Sequence, residues 1–413
     1  MFQSFSLIFL IAALFSYLNY RWLKLPSTIG IMILSLITAI LVIVSEPIFP
    51  NGYKFFCDLV LAADFRTLLL DVMLSLLLFA GALHVDIREL KKEKWSVFVF
   101  ATIGVLLSTV IVGTLVYYTL PIVGIEIPLT HALLFGALIS PTDPIAVIAI
   151  LKKAGVTKSL QLKIEGESLF NDGVGVVVFT GILLFVEGMG EGMEPIGKEI
   201  MILFVEEVVG GIVLGALIGV LAFRLMKGVQ ENPQLCIILS IAFAIGGYSI
   251  ASIFHMSGPL AMVVAGLYLG HKIFHQSFNE KSKKHLDDLW EVLDEGLNGV
   301  LFVMIGLAIH LLNFDSRLIL GGLIAILIVT LARWISITVP FSFFKHQEHD
   351  FWQTTTILTW GGLKGGISLA LALSLTDEIS GPIILGITYI VVLFSIFVQG
   401  LSISKLVKIL VNK

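Results

Sequence analysis

Charge is what this sequence has least of. Only 14% of its 413 residues are Asp, Glu, Lys or Arg, against 57% hydrophobic residues. A soluble domain carries about 25% charged residues. Too few charges are present to coat a water-facing surface of this size, so lipid must cover much of it. The net charge of −4 gives no electrostatic basis for binding nucleic acid. Cysteine is almost missing. Cys57 and Cys236 stand far apart, which excludes a disulfide framework and a cysteine metal site. No Gly-x-x-x-x-Gly-Lys-Ser/Thr loop is present to cradle ATP phosphates. No metal triad and no Ser-His-Asp constellation points to an enzyme. Ser-rich, Pro-rich and low-complexity stretches are lacking, and so is any sizeable soluble segment.

What is present is a series of long apolar runs. A helix needs about 20 mostly apolar residues to cross the hydrocarbon layer. Thirteen runs qualify, at 5–21, 27–45, 67–85, 95–118, 130–151, 163–187, 200–224, 235–254, 258–272, 288–312, 317–340, 352–375 and 383–404, the first and ninth being short. The apolar start lacks a basic region or a cleavage signal and reads as a retained first span. The chain is thus expected to be one all-α integral membrane domain over 1–413. An odd number of spans puts the termini on opposite sides. Short cytoplasmic loops retain Lys and Arg. With the C-terminus inside, 20 of the 26 basic residues fall in cytoplasmic loops, and only Lys54, Arg66, Lys198 and Arg317 fall outside. The expected orientation is N-terminus out and C-terminus in. Segments 46–66 and 187–199 read as external loops. The nine histidines fall mostly at span ends or in loops and read as interfacial.

Ionisable groups deep in a span cost at least about 2.5 kcal/mol each on insertion scales. The informative ones are Asp143, Glu165, Glu167, Asp172, Arg333 and Lys364, with Asp71, Asp294 and Glu295 nearer span ends. The fifth span contains Ser140-Pro141-Thr142-Asp143-Pro144. Its two prolines remove backbone donors and predict a broken helix. Such a break survives in a membrane only where protein or a wet cavity satisfies the freed groups, and the freed carbonyls become cation ligands. Thr142 adds a hydroxyl and Asp143 a carboxylate. The sixth span places Glu167 and Asn171 on one stripe and Ser168 and Asp172 on the next, because residues four apart share a helix face. A buried carboxylate is pushed toward neutral pH, so sodium and a proton could compete for Asp172. Arg333 does not deprotonate and needs a counter-ion, for which Glu167 is the candidate. In Trp360-Gly361-Gly362-Leu363-Lys364-Gly365-Gly366, four glycines predict a second break, and Lys364 could neutralise carbonyl ends of the fifth span. Breaks in the fifth and twelfth spans stand at matching positions of two halves, as in an inverted-repeat transporter.

With these residues in view, the chain resembles the NhaP-type sodium/proton antiporters of the first monovalent cation:proton antiporter family. The likeness is carried by Ser140-Pro141-Thr142-Asp143-Pro144, Gly166-Glu167-Ser168-Leu169-Phe170-Asn171-Asp172, Arg333 and Gly362-Leu363-Lys364-Gly365. It implies a thirteen-helix protomer, usually dimeric. A mobile ion-binding bundle would be formed by 95–187 and 317–404, and a dimerisation scaffold by 1–94 and 200–312. It implies sodium (or lithium) coordination by Asp172, Ser168 and the Thr142 carbonyl. It also implies an acidic role for Asp143, a structural pair Glu167–Arg333, and Asn171 holding the unwound region. The Asn171-Asp172 pair is similar to that of the electroneutral branch. Lys364 stands where arginine is usual, so the charge is kept and bidentate bonding lost.

The expected function is therefore exchange of Na+ or Li+ for H+ across the cytoplasmic membrane, with no cofactor and no ATP. Potassium exchange at the same site is the alternative. A cation channel would show a continuous polar pore helix or a carbonyl filter motif. An organic-anion carrier would show more basic residues than carboxylates at mid-membrane, and here the balance is reversed.

Overall fold

The computed structural model describes residues 2–61, 72–143, 147–148, 151, 156–190, 197–275, 278–312, 315–342 and 351–411. Arg66, Asp71 and Pro144, singled out above, lie outside the described residues. Within lipid, every backbone N–H and C=O must be satisfied internally, which favours helices. The described residues are accordingly mostly helical. Its elements are α1 (Gln3–Leu23), α2 (Ser27–Ser45), α3 (Pro50–Leu61), α4 (Leu74–Leu83), α5 (Lys94–Val123), α6 (Leu129–Ile139), α7 (Lys158–Gly188), α8 (Val205–Gly228), α9 (Pro233–Ile253), α10 (Gly258–His275), α11 (Glu280–His310), α12 (Ser316–Ser342), α13 (Phe351–Trp360), α14 (Gly366–Leu373) and α15 (Gly381–Leu410).

Each of the thirteen expected spans meets one of these helices in its described part, the twelfth as the broken pair α13 and α14; residues 67–71 of the third span and 144–146 and 149–150 of the fifth lie outside the described residues. Two details differ from the sequence expectation. The segment 46–66, read from the sequence as an external loop, contains a helix, α3, whose Asn, Gly and Lys hid its apolar face. The first span is also longer than its apolar run, because its final turn widens over Asn19–Leu23. Chain signals account for several boundaries. The Asn232 side chain caps the first turn of α9 by accepting from the Leu235 N–H at 3.1 Å, with Pro233 following it, where a missing donor does no harm. Asn279 caps α11 by accepting from Lys281 and Ser282.

Packing between helices rests on small residues, as in other membrane bundles. Gly211, Gly215 and Gly219 of α8 face α10 so closely that side chains there would meet its backbone. Gly266 and Gly270 of α10 lie in the same way against Phe79 and Leu83 of α4. These contacts belong to a buried cluster built on α4 and α8–α11, with Trp290 fully enclosed and its Nε1 donating to Ser240 Oγ at 3.1 Å. A second cluster joins α1 and α2 to α5, α6, α11, α12, α14 and α15. A third seals the end of α7 against α12, α13 and α15.

The feature that positions the site is a crossing of two broken helices. α6 stops at Ile139, since Pro141 has no N–H to continue it. α13 stops at Trp360 and α14 begins at Gly366. Between them the two extended stretches run antiparallel, and the Asp143 N–H donates to the Leu363 carbonyl at 2.8 Å. Gly365 is required here, because a side-chain carbon would lie 2.6 Å from Asp143 Cβ.

Candidate functional site

The crossing leaves helix-end carbonyls without helical partners, and buried charge compensates them. The Lys364 ammonium, itself buried, donates to the Ser140 carbonyl at 2.9 Å and the Pro141 carbonyl at 3.2 Å. A cation near helix C-termini is favoured by the helix dipole as well. The Lys364 N–H donates to Ser395 Oγ at 2.8 Å, whose hydroxyl lies 2.7 Å from Gln399 Oε1, so α15 fixes the lysine from behind.

α7 passes beside the crossing and presents its polar stripes to it. Glu167 and Arg333 form a buried, two-pronged ion pair, with Nη2 to Oε2 at 3.0 Å and Nη1 to Oε1 as the second contact. Arg333 Nη2 also lies 3.4 Å from the Leu358 carbonyl in the last turn of α13. One guanidinium thus ties α7, α12 and α13 together. Asn171 grips the unwound segment from both sides: its Nδ2 donates to Thr142 Oγ1 at 2.9 Å, and its Oδ1 accepts from the Thr142 N–H at 3.4 Å. Ser168 Oγ donates to the Thr142 carbonyl.

Below this lattice opens a cavity of about 580 Å³. Its wall carries Thr142, Asp143, Glu165, Ser168 and Asp172 on one side and Glu291, Asp294 and Asn298 of α11 on the other, with His84 and Ser368 as further polar groups. Leu74, Leu78, Leu169, Leu301 and Ile367 line the rest. Among the described residues, no hydrogen bond or ion pair fixes the Asp172 carboxyl. A carboxylate, a second carboxylate, a hydroxyl and a carbonyl around one space form an all-oxygen donor set, the kind that suits hard cations rather than soft metals. The same carboxylates can take protons instead.

The eight residues to which the sequence reading gives a role at the site are therefore in one place. Thr142, Asp143, Ser168 and Asp172 face the cavity, while Glu167, Asn171, Arg333 and Lys364 sit behind it. Glu165 lines the cavity as well. Sequence reasoning passed over Glu291 and Asn298, and placed Asp294 only near a span end. The available signal was spacing: 291, 294 and 298 lie on one face of a helix.

Comparison with known proteins places this geometry in context. Residues 9–409 match the family described as "Sodium/hydrogen exchanger, transmembrane". The chain is 43% identical to the Na+/H+ antiporter NhaP of Pseudomonas aeruginosa over 96% of this chain and 94% of that one. It is 30% identical to the Na+/H+ antiporter NhaH of Halobacillus dabanensis over 94% and 93%. Its fold matches the sodium proton antiporter MjNhaP1 of Methanocaldococcus jannaschii with a TM-score of 0.75 at 21% identity, covering 100% of this chain and 99% of that one. Nearly the full length of the chain takes part in each likeness, and this multi-pass membrane protein belongs to the transmembrane sodium/hydrogen exchanger family.

Proposed function

We propose that the chain is a secondary, electroneutral antiporter that exchanges one Na+ (or Li+) for one H+ at Asp172. The observation that carries this reading is the Asp172 carboxyl. It faces the cavity beside Thr142, Asp143 and Ser168 with no fixed partner among the described residues. Either a cation or a proton can neutralise it. Its neighbour Asn171 is uncharged and already committed to Thr142, so it adds no further charge beside Asp172, which supports an exchange of one for one. A charged, empty carboxylate is expensive to move through lipid. Only the loaded forms cross, and the two fluxes are coupled without a cofactor or ATP. The names of the two similar relatives support the same reading.

In this reading the sodium site comprises Asp172, Ser168 and the Thr142 carbonyl, with Asp143 as a second carboxylate. Glu167–Arg333 is a strut, Asn171 holds the break, and Lys364 compensates the carbonyl ends. Segments 95–187 and 317–404 form the moving bundle. Segments 1–94 and 200–312 form the scaffold and the face of a homodimer. The charge bias of the loops supports placement in the cytoplasmic membrane with the N-terminus outside.

The test is dye-monitored proton movement in everted membrane vesicles on adding Na+, Li+ or K+. The reading expects the lumen to become alkaline with Na+ and Li+ in wild type and not in Asp172→Asn. A response to K+ alone would change the cargo. No response to any cation from about pH 5 to 9, with inserted protein, would overturn the antiporter.

A further inference from the structure

Away from the cavity, two histidines and one aspartate converge where α10 ends. His271 and His275 are one turn apart on α10, with ring centroids at 5.7 Å and ring planes within 22°. Gly266 and Gly270 let α10 press against α4, and this close packing brings the segment just after α4 up to the two rings. Asp86 lies on that segment. Its Oδ1 accepts from the Arg88 N–H at 2.9 Å, with Arg88 Nε 3.5 Å from the same oxygen. Oδ2 is thereby left to face His275 Nε2 at 2.9 Å. One ligand atom from each of Asp86, His271 and His275 falls within 4.8 Å of the other two.

We propose that Asp86, His271 and His275 form a binding site for a divalent transition-metal ion such as Zn2+, Co2+ or Ni2+. Imidazole and carboxylate are the ligands such ions take, at about 2.0–2.2 Å. Two ligands at that radius and a tetrahedral angle stand about 3.4 Å apart, so the present spacing needs only small side-chain shifts. A pair of histidines four residues apart on one helix face is a recurrent way to present two nitrogens to one metal. His271 has a nitrogen to spare, since its buried Nδ1 has no hydrogen-bond partner among the described residues. The side chains of His275 and Asp86 remain 22% and 26% exposed, which lets an ion reach them from the aqueous side. Three protein ligands leave the fourth position to water.

Bound metal would act as a strap. Asp86 begins the short connection from α4 to α5, hence from the scaffold to the bundle proposed to move, whereas both histidines belong to α10 on the scaffold. Tying the connection down would slow exchange. That effect rests on the antiporter reading; the site does not, and its own test is direct binding.

The experiment is titration of the purified full-length protein in detergent with Co2+, read by its visible absorption bands, and with Zn2+, read by calorimetry. One equivalent per chain is expected in wild type. His271→Gln and His275→Gln each should weaken binding at least about tenfold, and Asp86→Asn should weaken it too. His285→Gln, on neighbouring α11, should leave it unchanged. Metal-induced thermal protection, present in wild type and absent in the histidine variants, separates loss of the site from misfolding. In proteoliposomes, saturating Zn2+ should slow sodium-driven proton movement in wild type and spare His271→Gln. Absence of stoichiometric binding, or binding unchanged in both histidine variants, would overturn the site. Stoichiometric binding without slowing of exchange would overturn the strap.

Discussion

Two carboxylates on the same helix, five residues apart, meet opposite fates. Glu167 is enclosed and held by both arms of Arg333. Asp172, one and a half turns further on, borders the cavity with no hydrogen-bond or ion-pair partner among the described residues. A buried charge whose bonds are filled is structure, and removing its partner strands a charge. A charge whose bonds are open must take its neutralisation from outside, as a proton or a cation. The difference between strut and carrier is thus one of satisfied valence, since both residue type and depth are similar. Arg333 decides it by reaching only one of the two.

That contrast can be broken by experiment. Glu167→Gln leaves the Arg333 guanidinium buried against a neutral amide. It should destabilise the protein by about 3–5 kcal/mol, seen as a fall in thermal unfolding temperature in detergent and loss of monodisperse protein. Asp172→Asn should leave the unfolding temperature at or above that of wild type, although it abolishes exchange. If the two variants lost stability equally, the distinction between strut and carrier would fail. Next in size is Lys364→Met, which strands the Ser140 and Pro141 carbonyls. A loss of about 1–3 kcal/mol is expected, with Lys364→Arg recovering part of it, again by thermal unfolding. The smallest effects belong to Glu291 and Asp294, across the cavity on α11. Glu291→Gln and Asp294→Asn should each raise the KM for Na+ about two- to fivefold at low salt with kcat held, as the loss of a nearby attracting charge would. That increase should shrink in high salt. A fall in kcat instead would make either residue part of the carrier itself.

The sequence made much of this legible, for specific reasons. Prolines 141 and 144 and the glycines around Lys364 announce breaks, because backbone chemistry forbids regular helix there. Arg333 announces a buried partner because it cannot shed its charge, and Glu167 is the candidate counter-ion that the sequence offers. Lys364 meeting the carbonyls of Ser140 and Pro141 follows from the same need for compensation. What stayed hidden depends on three-dimensional approach. Glu291, Asp294 and Asn298 look like the wet end of an amphipathic helix until α11 is seen to close the far wall of the cavity. Asp86 joins His271 and His275 only because glycines draw α4 and α10 together. The helix α3 was lost in a segment whose polar residues imitate a loop.

The central claim is that cation and proton compete for the Asp172 carboxylate, and the most direct measurement is Na+ affinity against pH. Na+ binding to the purified protein should be titrated at a series of pH values, in wild type and in Asp172→Asn. One proton displaced per ion predicts that the apparent Kd falls about tenfold for each pH unit gained while the carboxyl is protonated, then levels off once it is ionised. Asp172→Asn should bind no Na+ over the same range. A Na+ Kd that is flat across the whole pH range, or a pH-dependent Kd that persists in Asp172→Asn, would contradict the account.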